Sequence, residues 1–178
     1  MKKRFCSQYL FCSPCEILKQ TVIEQDEKSR TITDLFPLNG RNSESAHTLF
    51  VDGIISAEIL SAKANATPAE INMIQEKYNY IDLSTSSPLI MPEEKGKDLL
   101  IDFGTNAVSE INKIISQNIV FFSRYSIFEI IASCVYFPAT ALNKSAKLAL
   151  GRNTNLIQWR GVDLVNKKIT EKTRIFSL

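Results

Sequence analysis

Strand-like patterning at both ends of this chain encloses a middle whose apolar residues recur at helical spacing. Residues 4–55 read as strand, tight loop, strand, turn, strand, loop, strand, and residues 138–178 close with a short strand, a turn and two further strands. The two ends read as halves of one small β-sandwich. The fold class expected is therefore α+β, with residues 1–62 and 140–178 forming a discontinuous composite sandwich. Residues 63–139 are a mainly helical insert, and the whole folds as one unit.

Local signals place the elements. Phe5–Phe11 reads as a buried strand, Ser13-Pro14 as a turn, and Ile17–Glu24 as a strand that alternates its two faces. The polar run Gln25–Arg30 returns the chain into a strand over Thr31–Leu35. A loop through Pro37, Asn39-Gly40 and Ser45 then leads to a strand over His47–Ile55. Thr67, Pro68 and Glu70 form a helix N-terminal capping signal, with Ile71, Ile74 and Tyr78 on one face. Ser84–Pro92 reads as a loop and Leu99–Phe103 as a short strand. Val108, Ile111, Ile114 and Ile115 fall at helical spacing, as do Ile127, Ile130, Ile131 and Cys134, with a connection over Asn118–Ser126. Pro138 ends or kinks the second of these helices. A short helix over Ala139–Leu150 is expected, closed by Gly151, followed by strands at Leu156–Trp159, Asp163-Leu164 and Thr173–Phe176.

Composition excludes several functions. The chain has 21 basic and 19 acidic residues, a net charge of +2, spread without a basic face, which speaks against nucleic-acid binding. Met1-Lys2-Lys3-Arg4 and Lys167-Lys168 are short and read as solvated surface. The charged opening is followed by Ser7 and Gln8, which interrupt the apolar run, so it does not read as a signal peptide; Phe11 before Cys12 does not fit a lipoprotein site. Ile127–Phe137 is broken by Glu129 and Ser133 and falls short of the roughly 18 residues of a membrane span. A cytoplasmic protein without membrane contact is expected.

Few residues offer chemistry. There is one histidine, His47, and one imidazole does not make a metal site, which takes about four ligands. Cys12-Ser13-Pro14-Cys15 has Cys-x-x-Cys spacing and Cys6 lies nearby, so a zinc or redox site on Cys6, Cys12 and Cys15 is the candidate to weigh against plain thiols in a reducing compartment. Cys134, alone on an apolar helical face, reads as a small core residue, and Trp159 and Tyr136 as core or rim aromatics. Glu93-Glu94, Asp98 and Asp102, close to Lys95 and Lys97, read as mixed exposed charge rather than a general acid and base. No phosphate loop, dinucleotide fingerprint or nucleophile elbow is present.

The order of segments resembles the metal-dependent amidohydrolase superfamily. Phe137-Pro138-Ala139-Thr140-Ala141-Leu142 followed by Gly151-Arg152-Asn153-Thr154-Asn155-Leu156-Ile157 resembles that family's Asn-Pro-Ala-x-x-Leu stretch and its Gly-Lys-x-Ala-Asp-Leu-Val turn. Val51-Asp52-Gly53-Ile54-Ile55-Ser56-Ala57-Glu58 stands where the family's His-x-His motif leads into its barrel, and Phe103-Gly104-Thr105-Asn106 resembles its Gly-Thr-Asp. The resemblance implies a composite sandwich beside a (β/α)8 barrel that binds zinc and hydrolyses C–N bonds. Here the histidine pair is missing and Asn106, a neutral amide, replaces the basic carboxylate. At 178 residues the chain is also below the roughly 200 that a barrel needs.

These readings converge on a barrel-less, non-catalytic relative with a binding or structural role, no catalytic or cofactor-binding residues, and no cofactor. Its expected partner is another protein or a second copy of itself. Two alternatives stand beside it: a hydrolase of non-peptide C–N bonds whose site is completed by oligomerisation or a partner chain, and a cysteine-based metal or redox module holding zinc.

Overall fold

The strands pair into two principal sheets whose members are often consecutive pieces of the same stretch of chain. The structure, a computed structural model, describes residues 1–38, 47–85, 96–105 and 107–178. Its strands are β1 (Lys2–Cys6), β2 (Tyr9–Ser13), β3 (Glu16–Lys19), β4 (Thr21–Asp26), β5 (Ile32–Pro37), β6 (Thr48–Phe50), β7 (Ile54–Ala57), β8 (Asn79–Asp82), β9 (Leu99–Asp102), β10 (Leu156–Arg160) and β11 (Arg174–Ser177). One sheet has the order β5-β4-β1-β6, the second β11-β10-β7-β2-β3, and β8 and β9 form a separate parallel pair. Strands and helices together make a small α+β, sandwich-like domain, as the patterning indicates.

Three expected strands are each split between the two sheets. The stretch Phe5–Phe11 breaks at Ser7-Gln8 into β1 and β2, and Ile17–Glu24 breaks at Gln20 into β3 and β4. The breaks lie side by side. Cys6 pairs with Val22 in the first sheet and Tyr9 with Lys19 in the second, so two residues intervene on each strand and the register is kept across the bend. Gln20 takes the turn with φ 45, and Ser7 Oγ donates to the Tyr9 carbonyl at 2.6 Å. His47–Ile55 behaves in the same way: β6 runs parallel to β1, and β7 parallel to β2. The corner between β6 and β7 is Gly53, with φ 94, where an added Cβ would run into the carbonyl oxygen of Trp159. Gln8 seals this corner by accepting from the Gly53 amide at 2.6 Å and donating to Asp52 Oδ1 at 3.2 Å.

The C-terminal strands both join the second sheet, and the segment before them bonds to the first. β10 pairs antiparallel with β7 and with β11. Gln25, buried in the first sheet, donates to the Thr154 carbonyl at 2.7 Å and the Arg30 carbonyl at 2.9 Å, while Ile32 N donates to the Arg152 carbonyl at 2.8 Å. Leu10, Ile23, Ile54, Ile55, Trp159 and Ile175 are fully enclosed in the core between these elements. Each such side chain contributes about 1.5–3 kcal/mol by leaving water. Asp163-Leu164 is not a strand: Asp163 makes only an isolated bridge to Lys168.

The middle of the chain holds α1 (Ala62–Asn65), α2 (Pro68–Lys77), α3 (Val108–Gln117), α4 (Ile119–Phe122) and α5 (Ile127–Ile131). The Thr67 capping box on α2 is formed on both sides, and Ile74 and Tyr78 are buried. β8, which follows directly, carries no sequence expectation, and a helical turn, α4, occupies part of the expected connection. α5 runs through a π turn (Ala132–Tyr136) into α6 (Phe137–Ala141), with Phe137 N–H bonding the Ala132 carbonyl. The wider turn accommodates Pro138, which has no N–H to offer.

The expected helix over Ala139–Leu150 is not formed. Asn143, with φ 55, ends α6: its amide donates to the Thr140 carbonyl at 3.0 Å and the Lys144 amide to the Ala139 carbonyl at 2.7 Å. That pair of bonds is a Schellman closure, and asparagine tolerates its left-handed position. Gly151 serves a later turn instead. The expected loop at Asn39-Gly40 to Ser45 and residues 86–92 of the expected Ser84–Pro92 loop, together with Glu93-Glu94, Lys95 and Asn106, lie outside the described residues.

Candidate functional site

β8 and β9 end in register, so Asp82 and Asp102 face each other as partners at the C-terminal edge of a parallel pair. The ends of parallel strands are where catalytic carboxylates commonly sit. Asp102 is 1% exposed, which corrects the reading of it as exposed charge; Asp98, four residues earlier, is exposed. The sequence places Asp102 beside lysines, but the chain carries it inward at the last position of a strand whose Leu100 and Ile101 are also buried.

Three protein donors hold the Asp102 carboxylate. Oδ2 accepts from the Lys63 amide at 2.7 Å and from Tyr80 Oη at 2.9 Å, and Oδ1 accepts from the Gly104 amide at 2.8 Å. A buried carboxylate held by three donors is a satisfied structural group. Burial, together with the Asp102 charge, pushes the Tyr80 phenol far up, so it stays a protonated donor. Asp82 accepts from Lys63 Nζ at 2.8 Å, from the Ser84 amide at 2.9 Å and from the Ser84 hydroxyl. Burial opposes ionisation of Asp82, but Lys63 and Ser84 outweigh it and hold the carboxyl below its usual range. Lys63 thus ties both carboxylates to α1, through its backbone and its side chain.

Gly104, with φ 70, follows this cluster, and an added Cβ would strike the Ser84 side chain. A cleft of about 400 Å³ opens beside Gly104 and Thr105, with Glu110, Lys113 and Gln117 of α3 on its far wall. Sequence reasoning missed the Asp82, Lys63 and Tyr80 constellation. The only signal available was the matching position of Asp82 and Asp102, each the fourth residue of a short strand.

The cysteine candidates do not converge. Cys6 is buried in a small cluster with Val22 and Phe36, Cys12 is buried in the main core, and Cys15 is exposed at the turn between β2 and β3. Burial pushes the Cys12 thiol up to about 11, Glu16 adding and Lys147 opposing; burial also raises Cys6. A redox or metal-binding thiol needs the opposite shift. Cys134 is fully enclosed, and burial, with Asp102 adding, raises it well above its ordinary value. His47 is exposed, with φ 64, in the turn before β6. Among the described residues, no three of His, Cys, Asp and Glu form a group that could hold a metal ion, and no helix is long and apolar enough to cross a membrane.

No protein-family model matches the chain, and no curated protein does. Among solved structures, the crystal structure of Helicobacter pylori aminofutalosine deaminase is weakly similar, with a TM-score of 0.27 and 12% identity over 68% of this chain. That match takes in 39% of the deaminase chain.

Proposed function

We propose that this chain is a non-catalytic, amidohydrolase-like protein that works by binding without turnover. The observation that supports this reading best is the state of Asp102. It lies two residues before Gly104-Thr105, part of the stretch that resembles the family's Gly-Thr-Asp with Asn106 at the aspartate's place, and both its oxygens accept from Lys63, Tyr80 and Gly104. A general base or metal ligand needs an accessible lone pair, and the Asp102 carboxylate is held by three protein donors and closed off from solvent at 1% exposure. His47 stands exposed on the turn before β6 and has no second histidine to join.

The test joins metal analysis to an assay. Protein prepared without a histidine tag is analysed for bound metal per chain, then incubated with zinc and a panel of amide, amidine and aminopurine substrates while ammonia release is followed. The expected result is no stoichiometric transition metal and no turnover. A stoichiometric metal together with ammonia release that Asp102→Asn abolishes overturns the reading.

A further inference from the structure

We propose that the cavity between β2, the α5–α6 helix and the start of β9 binds a small planar aromatic amine. This rests on, and deepens, the reading of binding without turnover, because it names the ligand class.

The cavity has a volume of about 390 Å³, in the range of small-molecule sites. Phe11, Tyr125, Phe128 and Phe137 wall it. Three of these rings are set by packing from behind. Phe128 meets Tyr9 edge to face at 5.5 Å, Tyr125 lies 5.5 Å from Phe121, and Phe137 lies 6.0 Å from Tyr78 and 5.8 Å from Tyr136. A well of fixed aromatic faces and edges suits a flat π-system of one or two rings.

Ser133 supplies the second, independent observation. It lies in the π turn, is 2% exposed and lines the cavity, yet its hydroxyl bonds to none of the described residues and is not sealed from the cavity space. Thr140, one helical segment on, shows the usual behaviour: its hydroxyl donates back to the Tyr136 carbonyl at 2.9 Å. The buried, unpartnered hydroxyl of Ser133 instead awaits a group inside the cavity, and a ring N–H meets that need. π turns are frequent at functional sites.

The mouth selects charge. Among the described residues, Asp98 and Glu129 line it against Lys97, a net negative charge. An ammonium group on the ring substituent is attracted there, and aromatic walls add cation–π attraction. The bound geometry therefore has the ring among the four aromatic residues, its N–H on Ser133 and its amine toward Asp98 and Glu129.

Calorimetric titration with tryptamine, indole and indole-3-acetate tests this, with NMR spectra of the same samples after incubation. Tryptamine is expected to bind tightest and indole-3-acetate weakest. Ser133→Ala is expected to weaken tryptamine and indole about fivefold. The double variant D98N E129Q, both positions exposed and the Gln retaining the helix cap, is expected to bring tryptamine down to the affinity of indole. Should Ser133→Ala fail to fold, the double variant carries the test alone. Absence of saturable binding by all three probes, or an affinity order indifferent to charge and to the variants, overturns the proposal and leaves binding without turnover standing. Chemical conversion of bound tryptamine overturns that reading and leaves the cavity assignment intact.

Discussion

The indole Nε1 of Trp159 donates to Ser56 Oγ at 2.9 Å, and neither residue has any exposed surface. One comes from β10 and the other from β7, so this bond joins the two ends of the chain inside the core. Ser56 Oγ in turn donates to the Ala57 carbonyl at 3.0 Å. Ser56→Ala leaves the indole N–H buried without an acceptor. A loss of about 1–3 kcal/mol in unfolding free energy is expected, read from urea titration, with an unchanged slope.

Gly53 is the least replaceable corner residue. Its φ of 94 and the Trp159 carbonyl beside it reject a side chain on two separate grounds. Gly53→Ala is expected to cost about 3 kcal/mol or more, seen as loss of the soluble folded form or a large fall in the thermal midpoint. A variant as stable as the parent would mean that the corner is built differently.

Acid stability depends on Glu24. Burial pushes its carboxyl up, but the hydrogen bonds from Lys2, Thr33 and Arg4 prevail and bring it from an ordinary 4.5 down to about 2. The folded state therefore binds this proton less readily than the unfolded chain. The stabilisation is complete above about pH 4.5 and is lost as the pH falls toward 2. Glu24→Gln is expected to flatten the stability profile over that window while lowering stability at neutral pH, as measured by denaturant midpoints at a series of pH values.

Thiol labelling separates the four cysteines. Cys15 alone is exposed, whereas Cys6, Cys12 and Cys134 are buried with raised thiols. An aromatic disulfide reagent at neutral pH is expected to modify one thiol per chain rapidly in the native protein and four in denaturant. Rapid loss of two native thiols with formation of an internal disulfide would restore the redox reading of Cys12 and Cys15.

What the sequence disclosed divides along physical lines. The capping box at Thr67 is chemistry between residues three apart, and it is found as the sequence indicates. The two-layer strand content is equally legible from alternation. Two of the three sheet crossings were not, because Ser7-Gln8 and Gln20 carry neither Gly nor Pro. Gln20 adopts φ 45 because the bend of the whole hairpin requires it, a tertiary demand overriding local preference. At the end of α6 two signals competed: Asn143 and Gly151 both suit a left-handed position, and only packing decides between them. Asp102 was unreadable for a different reason. Its partners are the backbone of Lys63, a tyrosine on the neighbouring strand and the Gly104 amide, and none of these is visible as a pattern in sequence. Ser133 likewise reads only as a polar break in the apolar run Ile127–Phe137, and its place in a cavity wall follows from tertiary packing.

The pairing of β10 with β7 also has a consequence in time. β7 leaves the ribosome long before its antiparallel neighbour, since residues 58–155 must be made in between. At about 5–20 residues per second that interval is roughly 5–20 s. Throughout it, the edge of β7 that later pairs with β10 lacks its partner, and Ile54 and Ile55 lack the cover that encloses them in the folded protein. The nascent chain is therefore most exposed to chaperones, and to other copies of itself, at the strand that ends up among the most deeply enclosed in the finished protein.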